Sequence, residues 1–122
     1  MVFENYDSEV IDVTVNEVLI AAVEPIIPDC VPDVYDGENL EYCVFNCTEI
    51  PDDFGDDQPW AIRYLVQLHW YLPAGSGSPD AKKRQIRKAL IAAGFTAPTI
   101  TPDHDEAGLH FVFECEWLDG GV

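Results

Sequence analysis

The side chains of this 122-residue sequence that could do chemistry are three histidines, four cysteines and two acidic clusters. His69, His104 and His110 are scattered, and no serine stands in the Gly-x-Ser-x-Gly elbow that would expose a nucleophile. Gly75-Ser76-Gly77 reads as a linker, and no glycine loop is built to cradle a phosphate. Asp52, Asp53, Asp56 and Asp57 form one acidic cluster; Asp103, His104, Asp105 and Glu106 form the other. Either could attract a cation, but neither has EF-hand ligand spacing, and Pro51, Gly55 and Pro59 mark the first as a surface loop shaped by turns. His110 falls on the polar side of a strand and reads as a hydrogen-bonded surface residue rather than a ligand or base. The expectation is a protein with no catalytic residues, no metal and no cofactor.

The cysteines fit the same expectation. Cys43 and Cys47 lie in LEYCVFNCT, whose aromatic and β-branched content reads as a strand. There they share a face with Phe45 and stand about 13 Å apart, too far for a disulfide or for joint ligation of one zinc. With Cys30 and Cys115 they read as reduced core cysteines. The N-terminus MVFENYDSEV has neither the basic start nor the apolar stretch of a signal peptide, and no apolar run approaches the ~20 residues of a bilayer span. A cytosolic site of synthesis is expected, in which case the Asn46-Cys47-Thr48 sequon is accidental.

Charge is the most informative feature. The formal net charge is −17, from 23 acids against six cations, yet Lys82, Lys83, Arg84, Arg87 and Lys88 fall within seven residues. So acidic a body repels free nucleic acid and anionic membranes. A basic segment on it can dock onto the acidic flank of another copy or partner.

These cations sit on a segment, 78–95, that reads as a helix with both ends marked: Ser78 as N-cap, Pro79 at the first helical position, and Gly94 closing the end with Phe95 folding back on Leu90. Its apolar stripe is Ile86, Ala89, Leu90 and Ala93; Arg84, Arg87 and Lys88 lie opposite, with Ile91 among them. Lys82, Lys83 and Arg84 crowd the positive end of the helix dipole, at a cost of about 0.3–1 kcal/mol each when exposed. Something acidic outside the helix is expected to offset this. The acidic cluster of Asp52, Asp53, Asp56 and Asp57 is the expected counterpart.

The elements around this helix predict one α+β domain over 1–122, with a mainly antiparallel sheet and two principal helices on one face. Its length and its 48% hydrophobic content suit a single core. Val15, Val18, Leu19, Ala22, Val23 and Ile26 follow helical spacing. Thr14 and Glu17 make a capping box, Ile11 offers an earlier start, and Pro25 ends the helix near Val23 or Glu24. Residues 1–10 read as a loose arm. Strands at 31–35 and 40–47 read as a hairpin turning at Asp36-Gly37-Glu38-Asn39. In the longest strand, Ala61 to Leu72, Ile62, Tyr64, Val66, Leu68, Trp70 and Leu72 face the helices. Arg63, Leu65, Gln67, His69 and Tyr71 face water or a neighbouring subunit. A short strand follows near 99–101, and a last one from Leu109 to Leu118 alternates Phe111, Phe113, Cys115 and Trp117 with His110, Val112, Glu114 and Glu116.

Taken in order, several runs resemble the small tail-terminator (tail-completion) proteins of long-tailed bacteriophages and prophages, often labelled minor capsid or head-tail joining proteins. They are Val31-Pro32-Asp33-Val34-Tyr35-Asp36-Gly37; Tyr42-Cys43-Val44-Phe45-Asn46; the strand from Arg63 to Pro73; Ala81-Lys82-Lys83-Arg84 through Ala92-Ala93-Gly94-Phe95; and His110-Phe111-Val112-Phe113-Glu114-Cys115-Glu116. The resemblance covers roughly residues 15–118, and the first fourteen residues depart from it.

The resemblance implies a non-enzymatic virion protein at the head-tail junction. It would form a ring, hexameric in this family, that caps the tail tube, contacts the major tail protein and the head-completion connector, and lets DNA pass through its lumen without sequence-specific binding. Heterologous contact between unlike patches, as from a basic helix to an acidic loop, is what such a ring needs. The competing expectation is an acidic, DNA-mimicking module that occupies the basic groove of a host or phage protein. The net charge suits it, and the concentrated basic helix does not.

Overall fold

The computed structural model of the protein describes residues 14–50, 62–103 and 108–119. The N-terminal arm, the 52–57 acidic cluster and the residues His104, Asp105 and Glu106 lie outside the described residues. The elements are α1 (Val15–Val23), β1 (Cys30–Pro32), β2 (Tyr42–Ile50), β3 (Ile62–Pro73), α2 (Asp80–Ala92), β4 (Thr99–Pro102) and β5 (Gly108–Asp119). The strands make one sheet in the order β1-β2-β3-β5-β4. All pairings are antiparallel except β1 with β2. The fold is the expected small α+β domain.

Alternation along β3 builds the core. Val66, Leu68, Trp70 and Leu72 are buried against both helices, joined by Cys43 and Phe45 from β2 and by Phe111, Phe113 and Cys115 from β5. Each large apolar side chain taken fully out of water contributes about 1.5–3 kcal/mol, so this one face supplies most of the driving force. α1 presents Val15, Leu19 and Val23, with Ile27 beyond its end, and α2 presents Ile86 and Leu90. The Thr14–Glu17 capping box forms in both directions: the Thr14 hydroxyl accepts from the Glu17 amide at 3.2 Å, and the Glu17 carboxylate accepts from the Thr14 amide at 3.1 Å. The helix ends at Val23 with Glu24 as its C-cap, immediately before Pro25.

α2 is shorter than 78–95. Pro79, not Ser78, precedes the first helical residue, and the Ser78 hydroxyl accepts from the Asp80 amide at 3.3 Å. Its end follows the expected signal: Gly94 takes φ 106°, the Phe95 amide donates to the Leu90 carbonyl at 3.0 Å, and the Phe95 ring is buried beside Trp117.

The expected hairpin does not form. β1 and β2 run parallel, with Cys30 opposite Cys43 and Pro32 opposite Phe45. Parallel neighbours cannot be joined by a tight turn. The chain instead leaves β1 at Asp33, which adopts φ 68°, and crosses back through a loop stitched internally. Within that loop the Tyr35 hydroxyl donates to Asp29 at 2.9 Å and accepts from the Asn39 amide at 3.0 Å, while the Asn39 side chain also donates to Asp29. These bonds, Asn39's above all, hold the Asp29 carboxyl below its ordinary pKa. Asp36-Gly37-Glu38-Asn39 therefore belongs to a crossover loop.

Candidate functional site

α2 lies across the core face of the sheet with Ile86 and Leu90 inward, so its positions divide the basic cluster into two groups. Lys82 and Lys83, both half-buried, are engaged by their own fold. The Lys82 ammonium donates to both carboxylate oxygens of Glu41 at 3.0 Å, and Glu41 in turn accepts from the indole N–H of the fully buried Trp70 at 3.1 Å. Lys83 stands 4.7 Å above the Phe111 ring and 3.6 Å from Asp80. Glu41 is thus the acid outside the helix that offsets Lys82, and it lies in the same chain. Lys82 and Lys83 thus have partners within the chain, while Lys83 also lines the cleft beside Arg84 and Arg87.

Arg84, Arg87 and Lys88 are exposed, and Ile91 among them is 41% exposed. Among the described residues, no carboxylate pairs with any of these three cations. Arg84 and Arg87 also line, with Asp80, Lys83 and Ile100, a shallow cleft of ≈ 240 Å³ between α2 and β4. This face can receive an anionic, partly apolar surface. Asp52, Asp53, Asp56 and Asp57 lie outside the described residues, so their pairing with it remains an expectation from sequence.

The opposite side of the sheet carries a second organised surface. Register places Tyr42, Tyr71 and His110 in one row across β2, β3 and β5. Their rings stack successively: Tyr35 on Tyr42 with centroids at 4.2 Å, Tyr42 on Tyr71 at 4.9 Å, and Tyr71 on His110 at 4.1 Å. His69, one step along β3, meets His110 through Nδ1 and Nε2 at 2.8 Å. The two ring centroids are 5.0 Å apart, close to the contact plus one ring radius on each side. The nitrogens therefore face each other head on, as in a hydrogen bond, and not side by side toward a shared cation.

Asp103 lies 3.6 Å from His110 Nδ1, which favours a proton there and leaves Nε2 to accept from His69. Burial, followed by the neighbouring His110, pushes the His69 pKa down. The sequence reading of His110 as hydrogen-bonded holds, but it is only 8% exposed and not a surface residue. Nor are all the histidines scattered, since cross-strand register brings two together. Spacing along the chain carries no trace of that. Pairing Leu109–Leu118 antiparallel with 61–72 was the step that could have found it.

Further along the same face, Gln67 donates to Glu114 at 2.7 Å, and Arg63 lies 3.7 Å from Glu116. Leu118 is 60% exposed there.

The four cysteines are free thiols; Cys30, Cys43 and Cys115 are buried and Cys47 half-buried. A hydrogen bond with Cys30, together with burial, pushes the Cys43 thiol up. Burial likewise raises Cys47 to about 11 and Cys115 to about 12. Thiols held this far from the thiolate are poor nucleophiles and poor ligands. Among the described residues no group of three or more His, Cys, Asp or Glu side chains is placed to hold a metal ion, and no helix is long and apolar enough to cross a membrane.

The chain matches no family model, and no curated protein matches it.

Proposed function

We propose that this protein is a structural, ring-forming subunit of the tail-terminator kind, which closes the tail tube of a long-tailed phage and presents a surface to the head connector. In this reading its partners are further copies of itself, the major tail protein and the head-completion protein. DNA passes through the lumen without being read. The protein is not an enzyme in this account and needs no cofactor.

The observation that carries the assembly half of this reading is the face of α2. Arg84, Arg87 and Lys88 surround a 41%-exposed isoleucine and find no carboxylate among the described residues, on a chain of net charge −17. Cations so concentrated on an acidic body serve contact with an acidic surface. Desolvating Ile91 adds apolar area at the centre of that contact. The order of sequence motifs supports the tail-terminator class. A DNA-mimicking module gains from uniform negative potential, which a cationic face interrupts, so the assembly reading is preferred.

The test is sedimentation of the purified protein in low and high salt, alone and with a tail tube protein. It is paired with complementation of tail joining in a phage lacking its terminator. A salt-sensitive oligomer that restores joining supports the reading. A monomer in every condition that fails to complement refutes it.

A further inference from the structure

Resting on the reading that this protein assembles with itself, we infer that its copies stack front to back, the basic face of α2 on one copy seating on the open sheet face around Glu114 on the next. The two faces lie on opposite sides of one sheet. α2 turns Ile86 and Leu90 to the Val66, Leu68 and Trp70 side, so Lys88 and Ile91 lie on its solvent side, with Arg84 and Arg87 exposed beside them along the cleft toward β4. Glu114, Glu116 and Asp103 belong to the side carrying Tyr71 and His110.

Charge sets the pairing. The open face carries three carboxylates, Asp103, Glu114 and Glu116, against one described cation, Arg63, whereas α2 carries three exposed cations, Arg84, Arg87 and Lys88, against one exposed carboxylate, Asp80. Two helix faces repel each other, and so do two sheet faces, which leaves the unlike pair. Such a contact is heterologous, and it generates a closed ring or an open filament rather than an isologous dimer. Apolar atoms match as well: Ile91 on one side, and exposed Leu118 with half-buried Val44, Leu65 and Val112 on the other.

Size agrees. Thirteen helical residues span about 20 Å. The open face is about 14 Å across from β2 to β4 at ~4.8 Å per strand, and about 40 Å along the twelve residues of β3. The sheet edges, by contrast, are closed to strand addition. β4 is four residues long, contains Pro102 and follows Pro98, and β1 is three residues ending in Pro32.

The test uses the full chain carrying Glu114→Arg, Arg84→Glu/Arg87→Glu, or all three changes, with sedimentation velocity in low salt and circular dichroism for fold. Either change alone should weaken self-association by at least about tenfold, since Glu114→Arg leaves the open face with as many cations as carboxylates and Arg84→Glu/Arg87→Glu sets acid against acid, at every interface. The triple variant, in which the arginine placed at position 114 would stand opposite two new glutamates on the helix, should recover part of it. An equimolar mixture of the two reversed chains should co-assemble in alternation. Glu114→Gln is the milder substitute if the arginine disturbs folding, with a smaller loss expected.

If the wild type is oligomeric and Glu114→Arg and Glu114→Gln assemble like it, the sheet face is not the counterpart, although self-assembly stands. If the wild type is a monomer throughout, the assembly reading falls and this contact falls with it.

Discussion

Glu41→Leu should destabilise the domain by about 1–4 kcal/mol, although Glu41 stands in a loop and is partly exposed. The magnitude follows from its two partners. Trp70 is fully buried, and its indole N–H donates to Glu41 at 3.1 Å. Without that acceptor a buried donor is left unpaired, at a cost of about 1–3 kcal/mol. The Lys82–Glu41 ion pair adds less, because the two side chains are 43% and 32% exposed and solvent screening holds such pairs to about 0–1 kcal/mol. Glu41→Gln keeps an oxygen for the indole and should cost about 1 kcal/mol or less, as should Lys82→Met. Urea unfolding, with midpoints compared at constant slope, measures all three. If Lys82→Met costs as much as Glu41→Leu, the stabilisation lies in the ion pair and the assignment of Glu41 as acceptor for the core tryptophan is wrong. Because Lys82 is used internally, Lys82→Met should also leave oligomeric state unchanged, unlike reversal of Arg84 and Arg87.

The His69 pKa is lowered in the folded protein, so the unfolded chain takes up its proton first as pH falls below about 6.5. Its contribution is present above that pH and is lost on acidification. Wild type should therefore lose more stability than His69→Asn between pH 7.5 and 5.5, and equal losses in parallel urea titrations would contradict this. Four thiols should titrate in denaturant without reductant, whereas in the native protein Cys43, Cys47 and Cys115 should react slowly at pH 8 because burial holds them protonated; finding two or none on unfolding would overturn the reduced-core reading. Gly94→Ala should cost at least about 1 kcal/mol, because φ is 106° there, a conformation that residues with a Cβ rarely adopt. A neutral result in thermal unfolding would mean that the helix ends without that conformation.

Local pattern carried the sequence reading wherever one element decides its own structure. The alternation of Tyr64, Val66, Leu68 and Trp70 sets the two faces of β3, and the Thr14–Glu17 capping box fixes the start of α1. Gly94 followed by Phe95 marks the end of α2. Each depends on residues within one turn or one pleat. What depends on distant partners was not legible. Cys30 and Val31 carry no sign that they pair parallel to β2, and the Asp36-Gly37 signal speaks equally for a hairpin turn and for a loop tied by Tyr35 and Asn39 to Asp29.

The same holds at the candidate site. Helical spacing correctly sends Arg84, Arg87, Lys88 and Ile91 to the outer face of α2, since that is a property of the helix alone. Spacing could not separate Lys82 and Lys83 from them, because their partners Glu41 and Phe111 arrive from elsewhere in the fold. The His69–His110 bond is hidden for the same reason: it exists only in the register of β3 against β5.

The most direct measurement is sedimentation velocity of Arg84→Glu/Arg87→Glu beside wild type in low salt, with circular dichroism confirming that both are folded and Ile91→Asp as a second variant on the same face. The account predicts a wild-type oligomer whose mass falls as salt rises, and variants that are folded but shifted to the monomer. Wild type and double variant sedimenting alike would contradict it and leave the basic face of α2 as solvated surface.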